Sequence, residues 1–339
     1  MGRIHKKVLE EKEMKFYFAP MEGITIYLYR NAYEEFFGEI DKYFTPFIMP
    51  NGKRMFRSRE LLDVLPENNE GIYLVPQILT KKSDEFIKVA RELKEMGYGE
   101  VNLNVGCPSK TVVSKGKGSG FLKDLEELDH FLADIFDALD MKISIKTRIG
   151  VMETEEFEEI LEVYNRYPLS ELIVHPRLQK EFYTGTPHKE CFRMAVEKSR
   201  NPLCYNGDLV TKEDYENLIK QFPKLEQVMI GRGFLRNPAL TASIKRGEGL
   251  SKSRFREFHD KIYAAYRETL SGEKNVLFKM KDFWSNPVQI FTDYEKYAKK
   301  IRKAQNLVNY EKAVNALFLD QDIQEEMSTG KSILPLEQP

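Results

Sequence analysis

Cysteine, histidine and tryptophan are scarce, numbering three, five and one in 339 residues. Cys107, Cys191 and Cys204 are too few and too scattered for a disulfide framework or a zinc cluster. An odd cysteine count without secretory features suggests a reducing compartment, so a cytoplasmic location is expected. No run approaches the ~18 apolar residues of a membrane span. Residues 1–15 are charged throughout and lack the apolar core of a signal peptide. Neither a metal centre nor a membrane partner is therefore expected. Neither sign of charge dominates: 52 Lys and Arg stand against 53 Asp and Glu, for a net charge of −1. That balance excludes a globally basic nucleic-acid binder but leaves room for a local basic face. The turn after the first β-type run reads Ala19-Pro20-Met21-Glu22-Gly23, not the G-x-G-x-x-G of a dinucleotide-binding fold.

What is present is alternation. Short apolar β-type runs at 16–19, 43–47, 72–77, 100–104, 142–146, 171–175, 203–206 and 227–230 are separated by amphipathic segments. Within 83–96, Phe86, Ala90, Leu93 and Met96 share one helical face. The segments 124–139, 154–164 and 211–221 each open on an Asp or Thr suited to capping, and Thr211 is followed three residues later by Asp214. Eight β–α units in about 225 residues fit an α/β fold of the (β/α)8 TIM-barrel type. A doubly wound open sheet is the competitor, disfavoured by the missing glycine-rich turn. The connection 51–69 is too long for a tight barrel loop. It carries Gly52, Lys53, Arg54, Arg57, Arg59 and Pro66, as either a functional loop or a solvated insertion.

From residue 247 onward the β-type runs stop and four helical patterns follow, at 255–270, 275–284, 293–305 and 310–319. Residues 1–246 are read as a barrel and 247–339 as a small all-α bundle whose last stretch, 321–339, is expected to fray. Between Thr241 and Tyr310 the net charge is +7, with Arg254, Arg256, Lys261, Lys279, Lys281, Lys299, Lys300, Arg302 and Lys303 interleaved with Phe258, Tyr263, Tyr266, Phe278, Phe283 and Trp284. Taken alone, such a stretch reads as bundle core plus solvated charge; a phosphate-facing surface is the sharper alternative.

In a barrel of this type, polar residues at the C-terminal strand ends face the active site. Those ends supply Glu22, Gln77, Asn102, Asn104, Cys107, Lys146, Arg148, His175, Arg177, Asn206, Asp208, Gly231 and Arg232. Asn206-Gly207-Asp208 and Gly231-Arg232-Gly233 follow the seventh and eighth strands, where barrels bind phosphate through backbone N–H groups, and Arg232 adds a charge-assisted contact. Lys146, His175, Gln77 and Asn104 can hold an electron-rich heterocycle by its carbonyls and ring nitrogens. Phosphate plus heterocycle suggests flavin mononucleotide, FMN. Singly, Lys146 and His175 read as a salt-bridged lysine and a satisfied core histidine; the whole set at equivalent strand ends favours a site. Cys107 lies in a turn shaped by Gly106 and Pro108. With an ordinary thiol pKa of about 8.5 it can donate a proton near pH 7, although a lone cysteine is more often inert. Cys191 and Cys204 are read as structural.

These residues also carry a resemblance. Ala19-Pro20-Met21-Glu22-Gly23-Ile24-Thr25, Val101-Asn102-Leu103-Asn104-Val105-Gly106-Cys107-Pro108, Ile145-Lys146-Thr147-Arg148, Val174-His175-Pro176-Arg177, Tyr183-Thr184-Gly185, Asn206-Gly207-Asp208 and Met229-Ile230-Gly231-Arg232-Gly233 recur in this order. Over about 220 residues the chain so resembles the bacterial-type tRNA-dihydrouridine synthases. The resemblance implies FMN-dependent reduction of the uridine C5=C6 bond in tRNA, with NADPH as reductant. It implies Cys107 as general acid and Pro20, Met21, Gln77, Lys146, His175, Asn206, Asp208, Gly231 and Arg232 around FMN. Asn104, Arg148 and Arg177 fall on the substrate side. It further implies the D-loop region of tRNA as partner, held by the helical tail, with a monomer as the default. A small-molecule FMN oxidoreductase resembling dihydroorotate dehydrogenase is the alternative, and it leaves the basic tail without a purpose.

Overall fold

A computed structural model describes residues 13–324 except Lys53. Residues 1–12, Lys53 of the basic connection and the acidic, proline-containing end at 325–339 lie outside the described residues. Nine parallel strand segments form one sheet: β1 (Lys15–Phe18), β2 (Lys42–Phe44), β3 (Leu74–Val75), β4 (Gln77–Ile78), β5 (Glu100–Val105), β6 (Lys142–Arg148), β7 (Leu172–His175), β8 (Leu203–Tyr205) and β9 (Gln227–Ile230). Their order is β3-β2-β1-β9-β8-β7-β6-β5-β4. The two ends of that order are halves of one strand, so the sheet is an eight-stranded barrel.

The interruption has a chemical cause. Pro76 separates β3 from β4 and has no N–H to give to a ladder. Its carbonyl still accepts from Asn102 N at 2.9 Å. β3 pairs with β2, whereas β4 pairs with β5. The chain beyond β2 returns at Ile48, whose N–H donates to Gln77 O (2.8 Å) while its carbonyl accepts from Leu79 N (2.8 Å). The single run expected at 72–77 is therefore two short segments, and the ring closes through them.

Among the helices are α1 (Tyr27–Phe36), α2 (Ser58–Val64), α3 (Ser83–Glu95), α4 (Lys110–Val113), α5 (Leu125–Ala138), α6 (Glu156–Tyr164), α7 (Lys189–Lys198), α8 (Lys212–Gln221), α9 (Arg232–Arg236) and α10 (Leu240–Arg246). On α3, Phe86, Val89, Ala90 and Leu93 are buried as the 3.6-residue period requires. Asp124 and Thr211 cap α5 and α8 by accepting from Glu127 N (2.9 Å) and Asp214 N (3.1 Å). Thr154 does not cap α6. Instead the Glu156 carboxylate accepts from the N–H groups of Val151, Met152 and Glu153 at 2.7–2.8 Å, and the helix starts two residues later than the composition suggests. The long connection 51–69 is organised too, containing α2 and a 3-10 turn at Pro66–Asn68. Buried Arg30 ties it to α1, donating to Thr25 O (2.7 Å), Asp63 O (2.8 Å) and Asn69 Oδ1 (2.8 Å).

Two apolar regions result. Phe16, Phe18 and their outward-facing equivalents pack under the helices. Tyr17, Ala19, Phe44, Val75, Ile173, Cys204 and Met229 fill the barrel interior. Strand alternation puts them there. The N-terminal end of the barrel is closed by an ionic plug. Lys42 Nζ lies 2.9 Å from Glu100 and 3.0 Å from Glu171, the Tyr17 hydroxyl donates to Glu171, and Tyr73 donates to Glu100 at 3.2 Å. Burial holds the Glu171 carboxyl above its usual range despite Lys42.

The tail contains α11 (Lys252–Thr269), α12 (Glu273–Phe283), α13 (Glu295–Lys303) and α14 (Leu307–Asp320). Phe255, Phe258, Phe283, Trp284, Phe291 and Tyr310 form its core, with Trp284 Nε1 donating to the Tyr310 hydroxyl at 2.9 Å. This core runs on into the barrel layer. Phe258 meets Tyr29 edge-on at 5.5 Å and Phe37 at 5.1 Å. Most of the expected interleaved aromatics are thus core. Phe278 is not, at 65% exposure. Among the described residues no helix is long and apolar enough to cross a membrane.

Candidate active site at the C-terminal mouth of the barrel

Parallel register brings the polar strand ends level with one another. Gln77 pairs with Asn102, Asn104 with Lys146, and Arg148 with His175. Alternation turns Asn102 and Asn104, then Ser144 and Lys146, to the same side of their strands.

A one-way chain of hydrogen bonds crosses these strands. Ser144 Oγ is 3.4 Å from Val101 O, which accepts from it, and receives from Asn102 Nδ2 at 2.9 Å. Asn102 Oδ1 accepts from Gln77 Nε2 (2.8 Å), and Gln77 Oε1 accepts from Asn104 Nδ2 (2.7 Å). The chain ends where Asn104 Oδ1 accepts from both Gly106 N and Cys107 N, each at 3.0 Å. Each amide is oriented by its neighbour, so Ser144, near the middle of its strand, helps to fix the turn that carries Cys107. The other side of that turn is held by Ser119, whose N–H and hydroxyl both donate to Cys107 O. Gly118 sits there at φ +57° with Cys107 O only 2.6 Å from the position a Cβ would take, so a side chain is excluded. Burial raises the Cys107 thiol pKa, against the fields of Arg148 and Lys146. At neutral pH this sulfur keeps its proton.

Lys146 is half-buried beside the same turn. Burial, reinforced by Arg148, lowers its pKa to about 8. Among the described residues its ammonium has neither a hydrogen-bond nor an ion-pair partner. Buried His175 is neutral: burial and the nearby Arg148, Lys146, Arg177 and Arg232 push its pKa well below the usual histidine value. Arg177 Nη1 lies 3.2 Å from His175 Nε2. Since the guanidinium only donates, Nε2 accepts and the ring proton sits on Nδ1.

Arg177 itself is enclosed. Nε donates to Thr184 O (3.0 Å), Nη2 to Gly185 O (2.6 Å), and the two Nη groups grip Asp208. With His175 this engages all five N–H groups of a fully buried side chain. The geometry therefore makes Arg177 a clamp on the 178–185 loop, not a group free to meet substrate. Arg148 is similarly buried, donating to Gly106 O (2.9 Å) and Leu178 O (2.8 Å). Asp208 joins Arg177 to Arg232 Nη2 at 2.5 Å. Burial opposes its ionisation, but hydrogen bonds from Arg177 and the charge of Arg232 hold its carboxyl below the usual range.

Backbone space beside Arg232 requires glycine. A Cβ on Gly207 would meet the Tyr205 ring at 2.2–2.6 Å, and one on Gly233 would lie 2.1 Å from Leu209 O. A Cβ on Gly231 would lie 3.3 Å from Met21 Sδ, which places Met21 beside the β9 turn. Met21 N donates to Thr25 Oγ1 (2.8 Å), closing the rim loop that begins at Pro20. Asn206 Nδ2 donates to Met229 O (2.8 Å) across the neighbouring strand.

Two participants, Tyr183 and Ser144, were not among the strand-end residues singled out from the sequence, and a third, Glu22, has its partner outside them. The Tyr183 ring stacks on His175 at 6.3 Å and lies 5.3 Å from the Arg148 guanidinium and 5.7 Å from that of Arg232. Its only sequence signal is its place in Tyr183-Thr184-Gly185. Glu22 pairs with Arg59 of the long connection at 2.9 Å. Ser144 is legible only as the inward-facing residue two before Lys146.

The family model described as dihydrouridine synthase matches residues 17–328. The chain belongs to the dihydrouridine synthase family. Such a protein is an oxidoreductase, and its relatives carry compatible names. A probable tRNA-dihydrouridine synthase of Staphylococcus aureus (strain Mu50 / ATCC 700699) is 29% identical over 238 residues, covering 66% of this chain and 69% of that protein. A probable tRNA-dihydrouridine synthase 2 of Bacillus subtilis (strain 168) is 28% identical over 235 residues, covering 66% and 70%. Among solved structures, histamine dehydrogenase from Rhizobium sp. 4-9 superposes with a TM-score of 0.52 at 12% identity, covering 72% of this chain and 46% of that one. A variant of NCR from Zymomonas mobilis gives 0.50 at 12% identity, covering 72% and 90%. At such identity the two structures speak for the barrel alone.

For a dihydrouridine synthase the donor set at this mouth suits a phosphorylated flavin. An ammonium without a partner, a neutral histidine with an unused ring nitrogen, and a glycine-lined turn beside Arg232 are the groups such a cofactor requires.

Proposed function

We propose that this dihydrouridine synthase reduces the C5=C6 bond of uridine in tRNA, with FMN as cofactor and NADPH as reductant. The observation that carries the reading is the pairing of a protonated thiol at Cys107 with a partnerless ammonium at Lys146, on the turn and strand end that share one mouth. Lys146 and His175 would hold the flavin ring, Gln77 and Asn104 would border it, and Pro20 and Met21 would lie against it. Asn206, Asp208, Gly231 and Arg232 would surround its phosphate. The flavin supplies the hydride for C6 when bound. Cys107 Sγ holds the proton destined for C5, and the raised thiol pKa keeps that proton in place at neutral pH. Such a positioned donor contributes ~10²–10⁴-fold. Asn104 orients the donor through the two backbone N–H groups of its turn. Arg148 braces the same turn through Gly106 O, and Arg177 positions the loop carrying Tyr183.

The uridine of a folded RNA must leave its stack to reach this mouth. Residues 247–339 are proposed as a tRNA-binding unit attached to a catalytic barrel that ends at residue 246. Lys279 Nζ donates to Gly23 O at 2.6 Å, so α12 touches the rim of the mouth. Of the nine basic residues singled out in the tail, Arg254, Lys279, Lys281, Lys299, Lys300, Arg302 and Lys303 make no ion pair among the described residues. A rim built from this unit favours tRNA, including its D-loop region, over a free pyrimidine. The test is to reduce the flavin-loaded protein anaerobically with NADPH and add tRNA lacking dihydrouridine. Reoxidation with a gain of two hydrogens in one uridine is the expected result. Reoxidation by free pyrimidines and not by tRNA would overturn the reading.

A further inference from the structure

Helix α12 buries Val276, Leu277, Met280 and Phe283 in the bundle. Phe278 breaks that pattern, projecting from the opposite side with 65% of its surface exposed. Lys274 and Lys281 lie four residues before it and three after it, so all three share one stripe of the helix. At 1.5 Å per residue the two lysines are about 10 Å apart along the axis. Neither makes an ion pair among the described residues. The next residue, Lys279, is the one that reaches Gly23 O on the rim of the active-site mouth. The helix that carries the stripe therefore touches the rim of that mouth through the residue next to Phe278, in the stretch of chain that carries a net +7.

We propose that Phe278 is a base-stacking anchor, flanked by the ammonium groups of Lys274 and Lys281, for an unpaired nucleotide of the RNA whose uridine enters the site. The inference rests on the RNA reading above and adds a residue that helps to determine which uridine is presented. Every base offers a π face, and proteins that hold unpaired strands combine aromatic platforms with cations tracking the phosphates. Extruding a uridine leaves neighbouring nucleotides unstacked, and an exposed phenyl ring supplies a replacement surface. A protein partner would call for a wider apolar patch with few charges at its centre. Here one aromatic stands between two unpaired cations, which complements a polyanion.

The ring is exposed, so its replacement leaves the bundle core intact. The experiment measures tRNA affinity, and KM against kcat for uridine reduction, in the wild type and in Phe278→Ala, Phe278→Leu and Phe278→Trp. Loss of one stacking contact is expected to weaken binding roughly 5- to 150-fold in Phe278→Ala, expressed mainly in KM. Phe278→Leu keeps apolar bulk without a π face and should remain weak. Phe278→Trp should restore affinity, and its added fluorescence should be quenched by RNA. Lys274→Gln and Lys281→Gln should each reduce the slope of log affinity against log salt by roughly 0.7–0.9, whereas Phe278→Ala should leave that slope in place. Normal affinity in Phe278→Ala, or rescue by leucine as complete as by tryptophan, overturns the stacking role while leaving tRNA reduction standing. Failure of the wild type to bind or reduce tRNA overturns both.

Discussion

Replacing Lys146 by methionine should move cofactor affinity and protein stability in opposite directions. The ammonium is half-buried, has no partner among the described residues, and has a pKa lowered to about 8 by burial and Arg148. At pH 7 roughly nine in ten molecules still carry the charge. A hydrogen bond from a charged donor is worth ~1.5–3 kcal/mol, so Lys146→Met should weaken FMN binding roughly 10- to 150-fold. Without FMN the same charge is a burden. A displacement from 10.5 to about 8 corresponds to a cost of order 3 kcal/mol while the group is charged in both folded and unfolded states. The native state binds the proton more weakly than the unfolded chain. Stability of the cofactor-free protein should therefore rise with pH between about 8 and 10.5, and Lys146→Met should be the more stable form below pH 8 and show no such rise from this group. Wild-type FMN affinity should decline above pH 8 as the donor loses its proton. Fluorescence titration with FMN from pH 6 to 10, with urea unfolding of the cofactor-free protein, reads both effects. An FMN Kd within twofold of wild type, together with unchanged stability, would refute the assignment of an unsatisfied cation to this mouth.

Cys107→Ala should bind FMN and accept reduction by NADPH, yet lose ~10²–10⁴-fold in the rate of tRNA uridine reduction; single-turnover reoxidation measures this, and near-normal turnover would exclude the thiol as acid. Lys42→Met strands the buried carboxylates of Glu100 and Glu171 and should cost ~3–5 kcal/mol. Burial already raises the Glu171 carboxyl and Lys42 opposes that rise; without the lysine the rise is larger, and the stability held by the protonated form is lost as pH increases. The deficit in urea unfolding should thus be smaller near pH 5 than at pH 8, and an equal deficit at both would sink the argument. Binding of tRNA should fall steeply with salt, because each phosphate neutralised contributes a slope of roughly −0.7 to −0.9; a flat dependence measured by filter binding would remove the basic tail from the interface.

Much of the barrel can be read locally. Residues such as Tyr17 and Ala19, or Asn102 and Asn104, alternate at a spacing that only a strand satisfies, and Phe86, Ala90 and Leu93 mark a helix face without reference to anything distant. Where the local rule has two solutions, it misleads. Thr154 is a sound capping residue in isolation, but Glu156 can reach three N–H groups of the preceding turn and moves the helix start. The connection 51–69 looks unstructured because its order depends on Arg30, whose partners Thr25, Asp63 and Asn69 are up to 39 residues away.

The sequence by itself determined the number of β–α units and, through strand direction, the end of the barrel at which Gln77, Asn104, Lys146 and His175 would gather. It also marked the tail as helical and basic. Tertiary structure decided the rest, because hydrogen-bond direction and burial depend on which strands become neighbours. Ring closure through Pro76 and Ile48 set the amide chain from Ser144 to Cys107. Packing of the 178–185 loop turned Arg177 inward and brought Tyr183 over His175. Docking of α12 against Gly23 brought the helix that carries Phe278 to the rim of the mouth, and left that ring exposed, since the buried face of the helix is chosen by the bundle core and its outward face is whatever remains.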